Sequence, residues 1–178
     1  VMVGSHVRKT TQQLEYLRSR SRRTEFLEFD VNRYFEENGL EREKERIVQR
    51  AQAVMKEGNT AVVYTSRRVL APEEMDGEDK LRLSAAISEA VTGVVAGISS
   101  RPAFLIAKGG ITSSDIGVKA LGVKRALALG QALPGVPVWR LGEESRFPGL
   151  SYIIFPGNVG DTDALYQLVR MLREQEEL

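Results

Sequence analysis

The sequence predicts an α/β fold of three layers, with a largely parallel or mixed sheet carrying helices on both faces. Short β-branched or apolar runs alternate with longer amphipathic stretches from one end of the chain to the other. Several of those runs are apolar at consecutive positions, as strands covered on both faces are, rather than alternating apolar and polar. The composition, 42% hydrophobic and 28% charged over 178 residues, is that of an ordinary globular protein. It is enough for one core, so the expected unit is a single domain over residues 1–178.

Taken in order, Val1 to Val3 reads as a strand and Thr10 to Arg20 as a helix with Leu14 and Leu17 on one face. Phe26, Leu27 and Phe29 mark a second strand. Leu40 to Lys56 is amphipathic, with Ile47, Val48, Ala51, Val54 and Met55 at helical spacing, and Gly58-Asn59 ends it. Thr60 to Thr65 is a third strand, followed by a loop with Pro72, Asp76 and Gly77 and a helix from about Glu78 to Ile98. Ala103 to Ala107 is the next apolar strand, and Thr112 to Leu121 the helix behind it. Arg125 to Leu129, Val136 to Leu141 and Tyr152 to Phe155 complete the strands. A C-terminal helix runs from Asp161 or Thr162 to about Glu176.

Charge and composition exclude several function classes. The 25 basic and 24 acidic residues leave a net charge of +1, which offers no footprint for nucleic acid. Without cysteine there is no disulfide or cysteine-based zinc site, and a lone histidine, His6, excludes zinc motifs built on histidine pairs. No side-chain metal site is expected. No apolar run approaches the roughly 18 residues of a membrane helix and no signal-peptide pattern opens the chain, so a cytoplasmic protein with no membrane partner is expected.

Three strand-to-helix junctions share one design: Gly4-Ser5, Gly109-Gly110-Ile111-Thr112-Ser113-Ser114-Asp115, and Gly157-Asn158-Val159-Gly160-Asp161. In a parallel sheet all three reach the same edge. The first N–H groups of a helix have no intrahelical partner, and with the positive end of the helix dipole they form a phosphate site. Glycine lets the backbone approach phosphate oxygens without a Cβ in the way, or supplies a positive φ. Thr112 reads as a helix N-cap, with Asp115 three residues on as the partner of a capping box. Lys108 is placed to neutralise a phosphate. For each glycine alone a tight turn without a ligand is the plainer account; three on one edge favour a phosphate. No Walker loop and no Gly-x-Gly-x-x-Gly fingerprint is present.

Other features weigh less. His6 in a turn is more simply a solvated side chain, and with no Gly-x-Ser-x-Gly elbow there is no hydrolase triad. The cluster from Arg18 to Arg23 suits a solvated helix C-terminus, although an RNA-binding role rests on it alone. Glu41 to Arg46 is an exposed helix face. Trp139 would either stack on a base or pack against the sheet.

The ordered set Ala107-Lys108-Gly109-Gly110-Ile111-Thr112-Ser113-Ser114-Asp115, Leu121-Gly122-Val123, Gly130-Gln131-Ala132-Leu133-Pro134-Gly135-Val136-Pro137 and Phe155-Pro156-Gly157-Asn158-Val159-Gly160-Asp161, with Gly4-Ser5 and Thr11-x-Gln13 in front, resembles the C-terminal nucleotide-binding domain of the four-carbon acid sugar kinases. The resemblance spans essentially the whole chain. It implies an ATP-dependent enzyme that phosphorylates a hydroxyl of an erythronate-, threonate- or 3-oxo-tetronate-type acid, with ATP and Mg²⁺ as cofactors. It implies ATP contacts at Ser5, at Gly109, Gly110, Ile111 and Thr112, and at Gly157, with Asn158 beside it. It also implies a partner in the protein's own N-terminal domain, which opens on an Asp-Asp-x-Thr-Gly motif and binds the small sugar acid. This chain has no Asp-Asp pair, so it is expected to be a fragment, cut just before the strand at Val1, that binds nucleotide but lacks the acceptor site and the general base. No catalytic residue is therefore assigned. Phe155-Pro156 stand where many relatives carry Lys-Ser, which leaves Lys108 as the candidate cation. Asp115 or Asp161 would hold the ion's water shell or serve only as helix caps. A homodimer is compatible with these features. The rival reading is a non-catalytic α/β module that binds a phosphorylated metabolite.

Overall fold

A computed structural model describes residues 1–69 and 75–174. Pro72, expected in the loop before the third helix, and the last expected residues of the C-terminal helix, to Glu176, lie outside the described residues. The elements run β1 (Met2–Val3), α1 (Arg8–Arg20), β2 (Thr24–Phe29), a 3-10 turn (Val31–Phe35), α2 (Gly39–Lys56), β3 (Thr60–Thr65), α3 (Gly77–Gly97), β4 (Phe104–Lys108), α4 (Gly110–Asp115) continuing into a π-helical turn (Ile116–Ala120), β5 (Ala126–Leu133), β6 (Val136–Leu141), β7 (Ser151–Phe155) and α5 (Ala164–Glu174).

The strands form one seven-stranded sheet in the order β2-β3-β1-β4-β7-β6-β5. The first five are parallel neighbours, and β7-β6 and β6-β5 are antiparallel. The expected α/β sheet is thus found in its mixed form.

Alternation along the strands sends side chains to two apolar layers. Met2, Ala61, Val63, Leu105 and Ala107 pack with Ile47 and Val54 of α2 and Val91, Val94 and Val95 of α3. Val3, Val62, Tyr64, Ile106 and Phe155 pack with Leu14 and Leu17 of α1 and Leu165 and Leu168 of α5. The helices earn these places by period: α2 buries Ile47, Ala51 and Val54 along one stripe while Glu41, Arg42 and Glu45 stay in water.

The last pair of strands departs from expectation. The apolar run Arg125 to Leu129 reads as a covered strand, yet in β5 Ala126 to Gln131 are all exposed. Only the far end of β5, Ala132 and Leu133, packs against the layer lined by α5, so an apolar sequence at Arg125 to Leu129 does not mean a buried strand.

Candidate functional site

The strand order fixes where a ligand can sit. From β1 the chain leaves toward β2, and from β4 it leaves toward β5 on the opposite side, although β1 and β4 are neighbours. Connections that part in this way leave a crevice at the C-terminal ends of the two strands. Gly4-Ser5 follows β1 and Gly109-Gly110 follows β4, so both sit at this crevice. The turn after β7, the next strand over, closes its flank.

The turns are in direct contact. The Gly4 and Ser5 N–H groups donate to the Lys108 carbonyl at 3.2 and 3.3 Å, and the Gly109 N–H donates to the Phe155 carbonyl at 2.9 Å. A Cβ on Gly4 would collide with Thr112 Oγ1. Gly109 has φ +123°, a conformation L-residues avoid, and a Cβ there would lie 3.2 Å from Ser5 Cβ. Gly110 differs: its φ is not in that region and a Cβ would meet nothing within 4 Å. The positive-φ account of Gly110 is therefore corrected. What remains is its open approach to the crevice.

Two capping expectations are also corrected. The helix begins at Gly110, so Thr112 lies inside it, and the N-cap is Gly109 with no side-chain cap. Asp115 caps nothing; it accepts from Ser88 Oγ at 2.9 Å and pairs with Lys119 at 3.0 Å. The Lys119 ammonium holds its carboxyl below the usual range. Instead of capping, Thr112 sets its Oγ1 against Gly4.

A buried polar clamp ties α1 to the turn after β7. Thr10 Oγ1 lies 3.1 Å from Ser5 Oγ and donates to the Gly157 carbonyl at 2.9 Å. Gln13 Nε2 donates to the carbonyls of Val159, Gly160 and Asp161 at 3.0, 3.3 and 2.8 Å. A Cβ on Gly157 would lie 2.5 Å from Ser5 Oγ. The helix after this turn starts only at Ala164, not at Asp161 or Thr162, so the free N–H groups of α5 are displaced from the Gly157 turn. Asn158 is exposed at its tip.

Lys108 does not face the crevice as a free cation. It is 0% exposed, because it continues the Phe104 and Ile106 side of β4. Its Nζ donates to the Pro156 carbonyl at 2.8 Å and the Gly157 carbonyl at 3.4 Å, and stands 3.7 Å from the Phe155 ring centre. Burial, with a smaller push from Lys9, lowers its pKa from 10.5 to about 7. Lys108 supports the Gly157 turn from beneath.

Three features were not singled out from the sequence. The first is the start of α1, whose cap, Val7, makes no side-chain bond and whose first turn holds no acid, but carries Arg8 and Lys9. Cations there oppose the helix dipole. By contrast, α3 caps itself with Asp76, which accepts from the Asp79 N–H at 2.8 Å, and has Glu78 and Asp79 in its first turn. The second is Arg67, just past β3, whose Nη1 donates to the Ser5 carbonyl at 2.6 Å while Nε and Nη2 are buried with no hydrogen-bond partner among the described residues. A cation at a strand's C-terminal end was its only sequence signal.

The third is a cavity of about 460 Å³ beside the crevice, lined on one side by Leu83, Ile87 and Val91 of α3 and on the other by Gly4, Ile111 and Thr112. His6 also lines it, with Nε2 3.1 Å from Thr65 Oγ1, so its ring is held rather than merely solvated. Ile111, 75% exposed, forms an apolar rim. Trp139 is elsewhere, in a groove between the π-helical turn and the β5-β6 hairpin. Among the described residues no group of three or more His, Cys, Asp or Glu is placed to hold a metal ion, and no helix is long and apolar enough to cross a membrane.

Comparison with known proteins agrees with this arrangement. A family model described as a nucleotide-binding C-terminal domain matches residues 1–165. No curated protein matches the sequence. Among solved structures, a Bordetella bronchiseptica protein with a domain of unknown function (DUF1537), crystallised with citrate as a domain-swapped dimer, is 18% identical with a TM-score of 0.70, over 98% of this chain and 41% of its own. A Haemophilus influenzae protein of the same DUF1537 family is 22% identical with a TM-score of 0.68, over 96% and 39%. A Salmonella typhimurium LT2 protein is 20% identical with a TM-score of 0.66, over 99% and 40%. The chain thus spans about two fifths of the length of these structures.

Proposed function

The chain belongs to the family of nucleotide-binding C-terminal domains, and from that premise we propose that it binds ATP across the C-terminal edge of its sheet, as the nucleotide half of a kinase acting on a hydroxyl of a four-carbon sugar acid. The observation that carries this reading is the continuity of the glycine turns with the cavity under α3. A nucleotide needs a backbone-lined place for phosphates and an apolar slot for a flat base within reach of it. Gly4 and Thr112 border both.

The phosphates would lie over Gly109, Gly110, Ile111 and Thr112, with Ser5 and the Gly157-Asn158 turn on the other side. At Gly110 a Cβ would meet nothing within 4 Å, so the backbone there is open to a ligand. The uncapped, cationic start of α1 is tolerable beside a polyanion, which would satisfy its N–H groups and offset Arg8 and Lys9. Lys108 and the Thr10–Gln13 clamp act as positioning residues for the Gly157 turn. Mg²⁺ would be carried on the phosphates and water rather than by a side-chain cage, since it keeps most of its water shell in such sites. Phosphoryl transfer asks mainly for positioning and charge neutralisation, and those are what backbone donors at a rigid edge supply. The general base and the sugar-acid site would come from a further domain.

The alternative is a non-catalytic module that binds a phosphorylated metabolite, for which the same glycine turns would serve. Thermal denaturation separates the two. A non-hydrolysable ATP analogue with Mg²⁺ raises the melting temperature under the kinase reading, and a sugar phosphate alone does not. Gly110→Ala is the site test. Its Cβ meets open space, so the unliganded variant keeps its melting temperature. Calorimetry should show ATP affinity falling about tenfold or more, roughly 1.4 kcal/mol. Unchanged affinity in the folded variant refutes the loop assignment.

A further inference from the structure

The turn after β7 is rich in oxygen and short of donors. Of the six carbonyls from Pro156 to Asp161, five accept from two buried side chains. Pro156 and Gly157 accept from Lys108 Nζ, and Val159, Gly160 and Asp161 from Gln13 Nε2. Gln13 Oε1 is a further buried oxygen, with no hydrogen-bond partner among the described residues. Elsewhere Lys44 and Lys119 pair with carboxylates, those of Glu41 and Asp115. Lys108 meets no carboxylate among the described residues. Its ammonium has two carbonyl oxygens and, because β4 and β7 set Lys108 opposite Phe155, the face of that ring. Carbonyl oxygens are what replace the water shell of a bound potassium ion, and an aromatic face attracts a cation. Ammonium and potassium ions carry the same charge and are of nearly the same size.

We propose that Lys108 is a tethered monovalent cation: its ammonium fills a site made of main-chain carbonyls and an aromatic face beneath the turn after β7, and the site takes potassium or ammonium from solution once the side chain is removed. Two observations favour a cation over an amine that only donates hydrogen bonds. The ring of Phe155, 3.7 Å from Nζ to its centre, attracts positive charge and does little for a neutral amine. The carbonyls of Pro156 and Gly157 are consecutive and converge on one nitrogen, as oxygens do around an ion. The turn is then held by a cation that the chain itself carries, so its shape does not depend on which salt surrounds the protein. Truncating the side chain vacates the position but leaves its oxygens and its ring in place. An ion that enters completes its shell with water in the space the side chain occupied.

The proposal is independent of the nucleotide reading and is tested without nucleotide, by thermal denaturation of the 178-residue chain in different chloride salts at equal concentration. In Lys108→Ala, potassium or ammonium chloride should raise the melting temperature by about 2–4 °C over lithium chloride, whose ion is small and strongly hydrated. That is the shift a weak site gives when its ion is in severalfold excess over the dissociation constant. The wild type, with its site filled, and Lys108→Met, with the space filled but no charge, should show no such preference. Where the alanine variant fails to fold, the wild type carries the test. Nitrogen NMR at a pH below about 7, the pKa to which burial lowers this lysine, should show Lys108 Nζ as an ammonium whose protons exchange slowly with water. A folded Lys108→Ala with no more ion preference than the wild type overturns the proposal. So does an equal preference in Lys108→Met, or a neutral Lys108 amine at that pH.

Discussion

In the parallel half of the sheet, β2-β3-β1-β4-β7, helices cover both faces and all six residues of β3 are buried. In the antiparallel extension, six of the eight residues of β5 are in water. Both halves are rich in Ala, Leu and Val, so hydrophobicity does not separate them. What separates them is whether a helix follows the strand and packs back over it. The candidate site lies wholly on the covered half, where the buried side chains of Thr10, Gln13 and Lys108 hold the turn after β7, and Thr10 also reaches Ser5. The extension has no such support, and Leu127 and Leu129 lie in water.

Matched truncations break the comparison most directly. Leu168, on α5, is 0% exposed, and Leu168→Ala should cost about 2–5 kcal/mol in chemical denaturation through lost burial and a cavity. Leu127→Ala removes the same atoms from the exposed extension and should change the monomer's stability by no more than about 0.5 kcal/mol. Equal effects would mean that the extension is packed as tightly as the core.

Next comes the crevice itself. Gly4→Ala drives a Cβ into Thr112 Oγ1 and should destabilise by about 1–3 kcal/mol through overpacking. It should also weaken ATP-analogue binding, because α4 must move. Gly4→Ala/Thr112→Ser keeps the hydroxyl that causes the collision, whereas Gly4→Ala/Thr112→Ala removes it, so only the second should recover stability. Recovery in both would place the cause elsewhere.

A pH dependence follows from the lysine beneath the Gly157 turn. Lys108 has a pKa of about 7 in the folded chain against 10.5 ordinarily. Between these values the unfolded chain holds a proton that the folded chain has released, so stability rises as pH climbs through that window. The slope is at most about 1.4 kcal/mol per pH unit. The burial penalty is fully present below about pH 7. Lys108→Met should flatten that rise in melting temperature between pH 7 and 10. A wild-type slope retained in the variant would show that another group carries it.

Much of this architecture was legible in the sequence because its cues are local. Thr60–Thr65 and Val136–Leu141 announce their strands to the residue, and the stripe Ile47, Ala51, Val54 announces α2. The glycine turns were legible too, since few residues other than glycine tolerate such close approach or positive φ. The rest depended on distant partners. Thr112 reads as a cap until Gly4, far earlier in the chain, is seen beneath it. Lys108 reads as a phosphate ligand until β7 brings the Pro156 and Gly157 carbonyls to its ammonium. Arg67 and His6 gain roles only when β3 lies beside β1.

The sequence by itself therefore determined the elements, the α/β class and the three turns, because periodicity, β-branching and glycine act within a few residues. Tertiary structure alone decided the strand order, the crevice between β1 and β4, the cavity under α3 and the exposure of β5. Those follow from which strands pair across long stretches of chain. Pairing is settled by the joint burial of two apolar layers rather than by any short segment.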